Sequence, residues 1–165
     1  VSDDVLSVIP TDPEWQPDRA SAGRATALAA HLAMEPATDP AADGTQLLDL
    51  DIDVTWHDTV TFVDCGSNLE RIGCPHCGAV LDLDTWHDLL DAAGDEDGGF
   101  PTLTVVVPCC AGTTSLDALD YDWPCGFARF EIALWNPERA WLDDADLAAV
   151  ATALGHPVRQ IRAHI

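Results

Sequence analysis

The stretch R-I-G-C-P-H-C-G-A-V-L-D, Arg71 to Asp82, decides the fold. At its centre is Cys74-Pro75-His76-Cys77-Gly78, and a Cys-x-x-Cys pair serves two chemistries. In a redox-active dithiol the first cysteine opens a long helix, whose dipole lowers its pKa. In a metal-binding knuckle the proline starts a tight turn instead. The glycine after the second cysteine then takes a positive φ, so that backbone N–H groups face the sulfurs. Gly78 favours the knuckle, because glycine is a poor residue for the first turn of a helix.

Cys-Pro-His-Cys resembles the active-site tetrapeptide of strongly oxidising thioredoxin-like proteins, and G-F-P-T-L-T-V-V-V resembles the segment around their cis-proline. Two further observations set that reading aside. Only 23 residues separate Cys77 from Pro101, too few for the helix, strand and second helix required between them. Gly73, rather than an aromatic residue, precedes Cys74. A knuckle also requires a second ligand pair, and Cys109-Cys110 follows Cys77 after 31 intervening residues, in V-V-V-P-C-C-A-G. Zinc takes four ligands, with thiolate sulfur at about 2.3 Å. The expected set is Cys74, Cys77, Cys109 and Cys110 around one zinc ion, as a closed structural site.

The second pair is irregular. On a continuing strand, adjacent side chains point to opposite faces. Both cysteines reach one ion only if the chain turns between Pro108 and Gly112, and that flanking makes a turn plausible. Cys65, Cys125, His76 and His87 stand as alternatives for the fourth place. Water in that place would give a hydrolytic zinc enzyme with Asp64, Asp84 or His87 as base. Thiol redox or metal handling through the same cysteines is a third reading.

The chain has 165 residues, the length of one domain, and is 47% hydrophobic, enough for a core. We expect one α+β domain over 1–165, with the zinc-binding element at about 65–112. Acidic residues number 29 against 7 basic ones, a net charge of -22, and no residue is lysine. Such a field repels nucleic acid and anionic membranes, because phosphate binding needs Lys and Arg to displace counterions. It suits a partner with a basic surface. No basic region followed by an apolar run opens the sequence, and no apolar run approaches the ~18 residues of a membrane span. A cytoplasmic location is expected, where cysteines suggest metal or catalysis before disulfides.

Periodicity places the remaining elements. Pro17–Met34, alanine-rich with Leu28 and Leu32 one turn apart, predicts a helix, and Glu35–Thr45 a loop. Leu48, Leu50, Ile52, Val54 and Trp56 alternate with Asp49, Asp51, Asp53, Thr55 and His57, a half-buried strand with a solvated Asp face. A turn at His57-Asp58 is expected to lead into T-V-T-F-V-D-C as its hairpin partner. Asp84–Ala93 reads as a short helix, Thr102–Val107 as a buried strand, and G-F-A-R-F-E-I-A-L-W as a strand with Phe130, Ile132 and Leu134 on one face. Asp143–Leu154 reads as a helix capped by Asp143 or Asp144 and ended by Gly155 and Pro157. V-R-Q-I-R-A-H-I closes the chain as a strand. The sum is α+β, a mostly antiparallel sheet with flanking helices and an attached zinc-ribbon-like element.

Thr114–Pro137 concentrates Tyr121, Trp123, Phe127, Phe130 and Trp135. C-P-x-C-G, the later C-C pair, S-L-x-x-L-x-Y-D-W-P-x-G-F-x-R-F and a strand ending in N-P together resemble a group of small uncharacterised bacterial proteins. The resemblance runs from about Cys74 to Pro137. It supports the four cysteines as a set and implies no activity. Burial explains most of these aromatics; an exposed Trp123/Phe127 ledge is the alternative, as a docking patch for a basic partner. Arg129 is expected to pair with a nearby Asp.

Overall fold

The computed structural model describes residues 2–34 and 50–165. The expected loop at 35–45 and the start of the alternating strand, Leu48 and Asp49, lie outside these residues. The main sheet contains β1 (Asp4–Pro10), β2 (Asp51–Val63), β5 (Gly99–Phe100), β9 (Gly126–Trp135) and β10 (Val158–His164), in the order β10-β1-β9-β2-β5. Every pairing in it is antiparallel. β1 and β2 therefore run parallel with β9 between them, and β9 and β10 run parallel with β1 between them. The helix α1 (Arg19–Met34) connects the first of these pairs, and α3 (Asp144–Leu154) connects the second. Two interleaved split β-α-β units of this kind form the β-α-β-β-α-β, ferredoxin-like arrangement.

The sequence reading assigns no element to β1, which is the strand shared by both units. V-L-S-V-I-P is buried throughout, with only Asp4 partly exposed. A strand covered on both faces shows a short apolar run in place of clean alternation.

Both helices pack on one face of the sheet. Leu6 and Val8 of β1 and Phe130, Ile132 and Leu134 of β9 meet Val150 and Leu154 of α3 there. α1 presents Ala22, Ala25, Ala29, Ala30 and Ala33 to this core, while Leu28 and Leu32 pack half-buried against it. Asp143 caps α3 by accepting from the N–H of Asp146, whose side chain returns the bond, and Gly155 ends the helix at φ 89°. The caps stand where the sequence places them.

The expected hairpin at His57-Asp58 does not form. β2 runs on through these residues, and its register against β9 shifts between Trp56, opposite Phe130, and Thr61, opposite Ala128. His57-Asp58 lacks the glycine that lets a two-residue hairpin reach positive φ. Instead the chain bulges, and distant groups satisfy the freed backbone. The Gln16 side-chain amide donates to the carbonyls of His57 and Arg129, and the Arg129 N–H donates to the carbonyl of Pro13.

Residues 64–125 are an insertion between β2 and β9. It carries a sheet of β3 (Ile72–Gly73), β4 (Val80–Leu81) and β8 (Asp120–Tyr121), and a ribbon of β6 (Thr104–Val106) and β7 (Thr113–Ser115). The expected buried strand at Thr102–Val107 is therefore half of a two-stranded ribbon, with Val106 58% exposed. The helix α2 (Leu83–Ala93) is capped by Asp82, which accepts from the N–H of Thr85. Trp86, Phe100, Val107 and Leu116 of the insertion share a second core with Ile9, Phe127 and Ile161 of the sheet. Phe127 is thus an interior residue. Trp123 is half-buried, donating its indole N–H to the Arg162 carbonyl and tilted against Trp141, so the Trp123/Phe127 ledge is not formed. Arg129 enters no ion pair among the described residues; it lines a cleft with Glu14 and Asp58, and its buried Nε has no hydrogen-bond partner.

Candidate metal centre

The insertion brings together the Sγ atoms of Cys74, Cys77, Cys109 and Cys110, all within 4.8 Å of one another. Cys77 and Cys109 approach to 3.4 Å, and Cys74 and Cys110 to 3.8 Å. A tetrahedron with metal–sulfur bonds of about 2.3 Å has edges of about 3.8 Å. The two closest sulfur pairs stand near that spacing, and all four sulfurs lie close enough together to share one ion.

Two turns with the same backbone build the cluster. In the first, the Cys74 N–H donates to the Ala79 carbonyl and the Gly78 N–H to the Cys74 carbonyl. In the second, the Val107 N–H donates to the Gly112 carbonyl and the Ala111 N–H to the Val107 carbonyl. C-P-H-C-G-A thus overlays V-P-C-C-A-G. Proline holds the second position in both, and the fifth residue is left-handed in both, Gly78 at φ 74° and Ala111 at φ 58°. Each turn joins two antiparallel strands, β3 to β4 and β6 to β7. The turn expected between Pro108 and Gly112 is present.

The overlay explains the adjacent cysteines. Cys110 matches Cys77, but the place of Cys74 is taken by Val107, which is fully buried in the second core. With that position committed to packing, the remaining sulfur comes from Cys109, at the place that His76 occupies in the first turn. His76 lies against the other turn, its Nε2–H donating to the Thr113 carbonyl at 2.8 Å. Gly112 makes room for it: a Cβ there would stand 2.8 Å from His76 Cδ2. His76 thus ties the turns together from outside the sulfur cluster.

Ala111 holds a conformation that costs an L-residue roughly 1 kcal/mol. Ala111→Gly is expected to stabilise the protein by up to about that amount, read as a rise in thermal midpoint. Gly78→Ala should lower the midpoint by a similar step.

The thiols perturb one another. The backbone N–H of Cys77, with that of His76, pulls Cys74 down to about 6 against the effect of burial. Desolvation, with bonds to Cys77 and Cys74, pushes Cys109 up to about 12. The N–H of Gly112 pulls Cys110 down, but burial and the bonds to Cys74 and Cys77 outweigh it and the net direction is upward. One thiolate forms readily and its charge opposes the next, a conflict that a bound cation removes.

The other residues weighed for this site lie elsewhere. Cys65 and Cys125 face each other at the base of the insertion. Asp64 and His87 line a cleft with Cys65, and Asp84 is in the first turn of α2. Among the described residues no helix is long and apolar enough to cross a membrane. The chain matches no protein-family model, no curated protein and no solved structure at a significant level, so the reading of the site rests on its own geometry.

Proposed function

We propose that Cys74, Cys77, Cys109 and Cys110 hold one zinc ion as a closed structural site. In this reading the protein acts by binding another protein with a basic surface, as an inhibitor of the immunity type, an adaptor or a regulator. The observation that carries the zinc reading is the set of four sulfurs within 4.8 Å of one another, with the two closest pairs near a tetrahedral edge. An all-thiolate site has no place for a reacting water, and neither Asp64, Asp84 nor His87 joins the cluster. The hydrolytic reading therefore lacks support of this kind. The ion would contribute folding free energy by clamping the first turn to the second.

The partner reading rests on the net charge of -22. It is tested by passing source lysate over the immobilised, metal-loaded protein and eluting with salt. A specific basic protein that elutes over a few hundred millimolar salt is expected, since screening weakens charge-driven association. Recovery of only acidic or non-specific proteins would contradict it.

Acid should release the metal. Binding requires thiolates, so every thiol still protonated at the working pH must lose its proton. Near neutral pH, Cys109 and Cys110 are protonated in the metal-free protein, since both are raised. Each therefore weakens binding about tenfold per unit fall in pH. Below about 6 Cys74 joins them, and the dependence steepens by a further factor of about ten per unit. A competition titration with a chromophoric chelator from pH 8 to pH 5 reads this slope.

A further inference from the structure

The insertion leaves β2 after Val63 and enters β9 at Gly126, and a cysteine stands beside each junction. Cys65 and Cys125 are 60 residues apart in sequence, yet their sulfurs meet at 3.0 Å. Both are buried, at 3% and 1% exposure. We propose that these two thiols form a reversible disulfide that locks the neck of the metal-bearing insertion, made by a hydroperoxide oxidant and undone by thiols.

The backbone on both sides is already fixed. Beside Cys65, the Gly66 N–H donates to the Asp64 carboxylate, and Gly66 lies against the backbone of His164 in β10. The Cys125 carbonyl accepts from the Arg159 guanidinium at 2.6 Å, which ties it to the same strand. A disulfide requires the sulfurs to close to about 2.05 Å, a shift of about 1 Å that side-chain rotation can supply. The four cysteines of the metal centre form a separate cluster, and coordination would shield them from the same oxidant.

One of the pair borders a cleft. Cys65 lines a cleft of about 370 Å³ together with Phe62, Leu69, Trp86 and His87. In the reduced pair the hydrogen bond from Cys125 pulls Cys65 down and pushes Cys125 up, so Cys65 is the nucleophile. Its thiolate attacks a peroxide oxygen. The S–O bond forms, the O–O bond breaks, and hydroxide leaves and is protonated to water. Cys125 then attacks the Cys65 sulfur, the S–S bond forms, and the sulfenic oxygen leaves as water with the Cys125 proton. Two thiols and one hydrogen peroxide thus give one disulfide and two waters. A thiol such as dithiothreitol reverses the state by exchange.

The test uses the full chain loaded with metal. After exposure to low millimolar hydrogen peroxide, denaturation under alkylating conditions and non-reducing peptide mapping should show Cys65 linked to Cys125. Dithiothreitol should restore two free thiols. The cross-link closes a loop of roughly 60 residues and should raise the thermal midpoint by roughly 10 °C relative to the reduced protein. Cys125→Ser should lose both the link and the rise. Full alkylation of Cys65 and Cys125 after peroxide, or a link from either to a cysteine of the metal centre, would overturn the proposal. The mapping is made on the unmutated protein, so a folding defect in the variant does not obscure the result.

Discussion

On the proposed zinc reading, stripping the metal with a strong chelator at neutral pH is expected to loosen the two cysteine turns and to weaken the protein by several kcal/mol. Apparent binding free energies of structural zinc are about 10–16 kcal/mol, and that energy is folding energy where the apo state does not hold the site. The insertion keeps its core against the sheet, but the secondary structure next to these turns is slight. Its strands β3, β4 and β8 have two residues each, and β6 and β7 three each, far below what a stable isolated ribbon needs. Amide exchange should quicken across Ile72–Tyr121 and change less in β1 and β9. Cys109→Ser should weaken metal binding on the order of a hundredfold or more, a quarter of that binding energy being roughly 3 kcal/mol. His76→Ala should cost only about 1 kcal/mol of stability, through its bond to Thr113, with a much smaller effect on affinity. The contrast between Cys109 and His76, which hold matching places in the two turns, separates a ligand from a neighbour.

Gly66→Ala is the second large effect expected. Gly66 has φ 68°, and a Cβ there would meet the backbone N and O of His164 at 2.6 and 2.7 Å. Neither strain has a flexible side chain to absorb it. The left-handed conformation costs about 1–2 kcal/mol for a residue with a Cβ, and the clash adds a similar amount. A loss on the order of 3 kcal/mol is expected, measured by denaturant unfolding of the metal-loaded protein. Gly126→Ala makes a useful comparison. Its Cβ would meet side-chain atoms of Ile9 and Ile161, closest at their Cδ1 ends, which can shift, so the cost should be smaller.

The parts of the fold that local chemistry dictates were legible in the sequence. Asp143 or Asp144 at the start, the stripe of Leu147, Val150, Ala151 and Leu154, and Gly155 at the far end mark α3, and the alternation of Phe130, Ile132 and Leu134 marks the buried face of β9. The parts that depend on distant partners were not legible. β1 lacks alternation because both its faces are covered. The bulge at His57-Asp58 is completed by Gln16 and Pro13, which no window around it contains. In the candidate site, C-P-H-C-G identifies its own turn. V-P-C-C-A-G hides the same turn, because Val107 is spent on the core and Ala111 stands where glycine is usual. The meeting of Cys65 with Cys125 follows from an insertion closing on itself, which no spacing rule predicts.

The most direct test is to measure the metal content of the purified protein, substitute cobalt and record its absorption spectrum. One equivalent of metal is predicted, with an intense thiolate-to-cobalt band and visible bands of tetrahedral all-sulfur coordination, abolished by Cys109→Ser or Cys110→Ser. No stoichiometric metal, or a spectrum of three sulfurs with an open position that responds to added anions, would contradict the closed four-thiolate site.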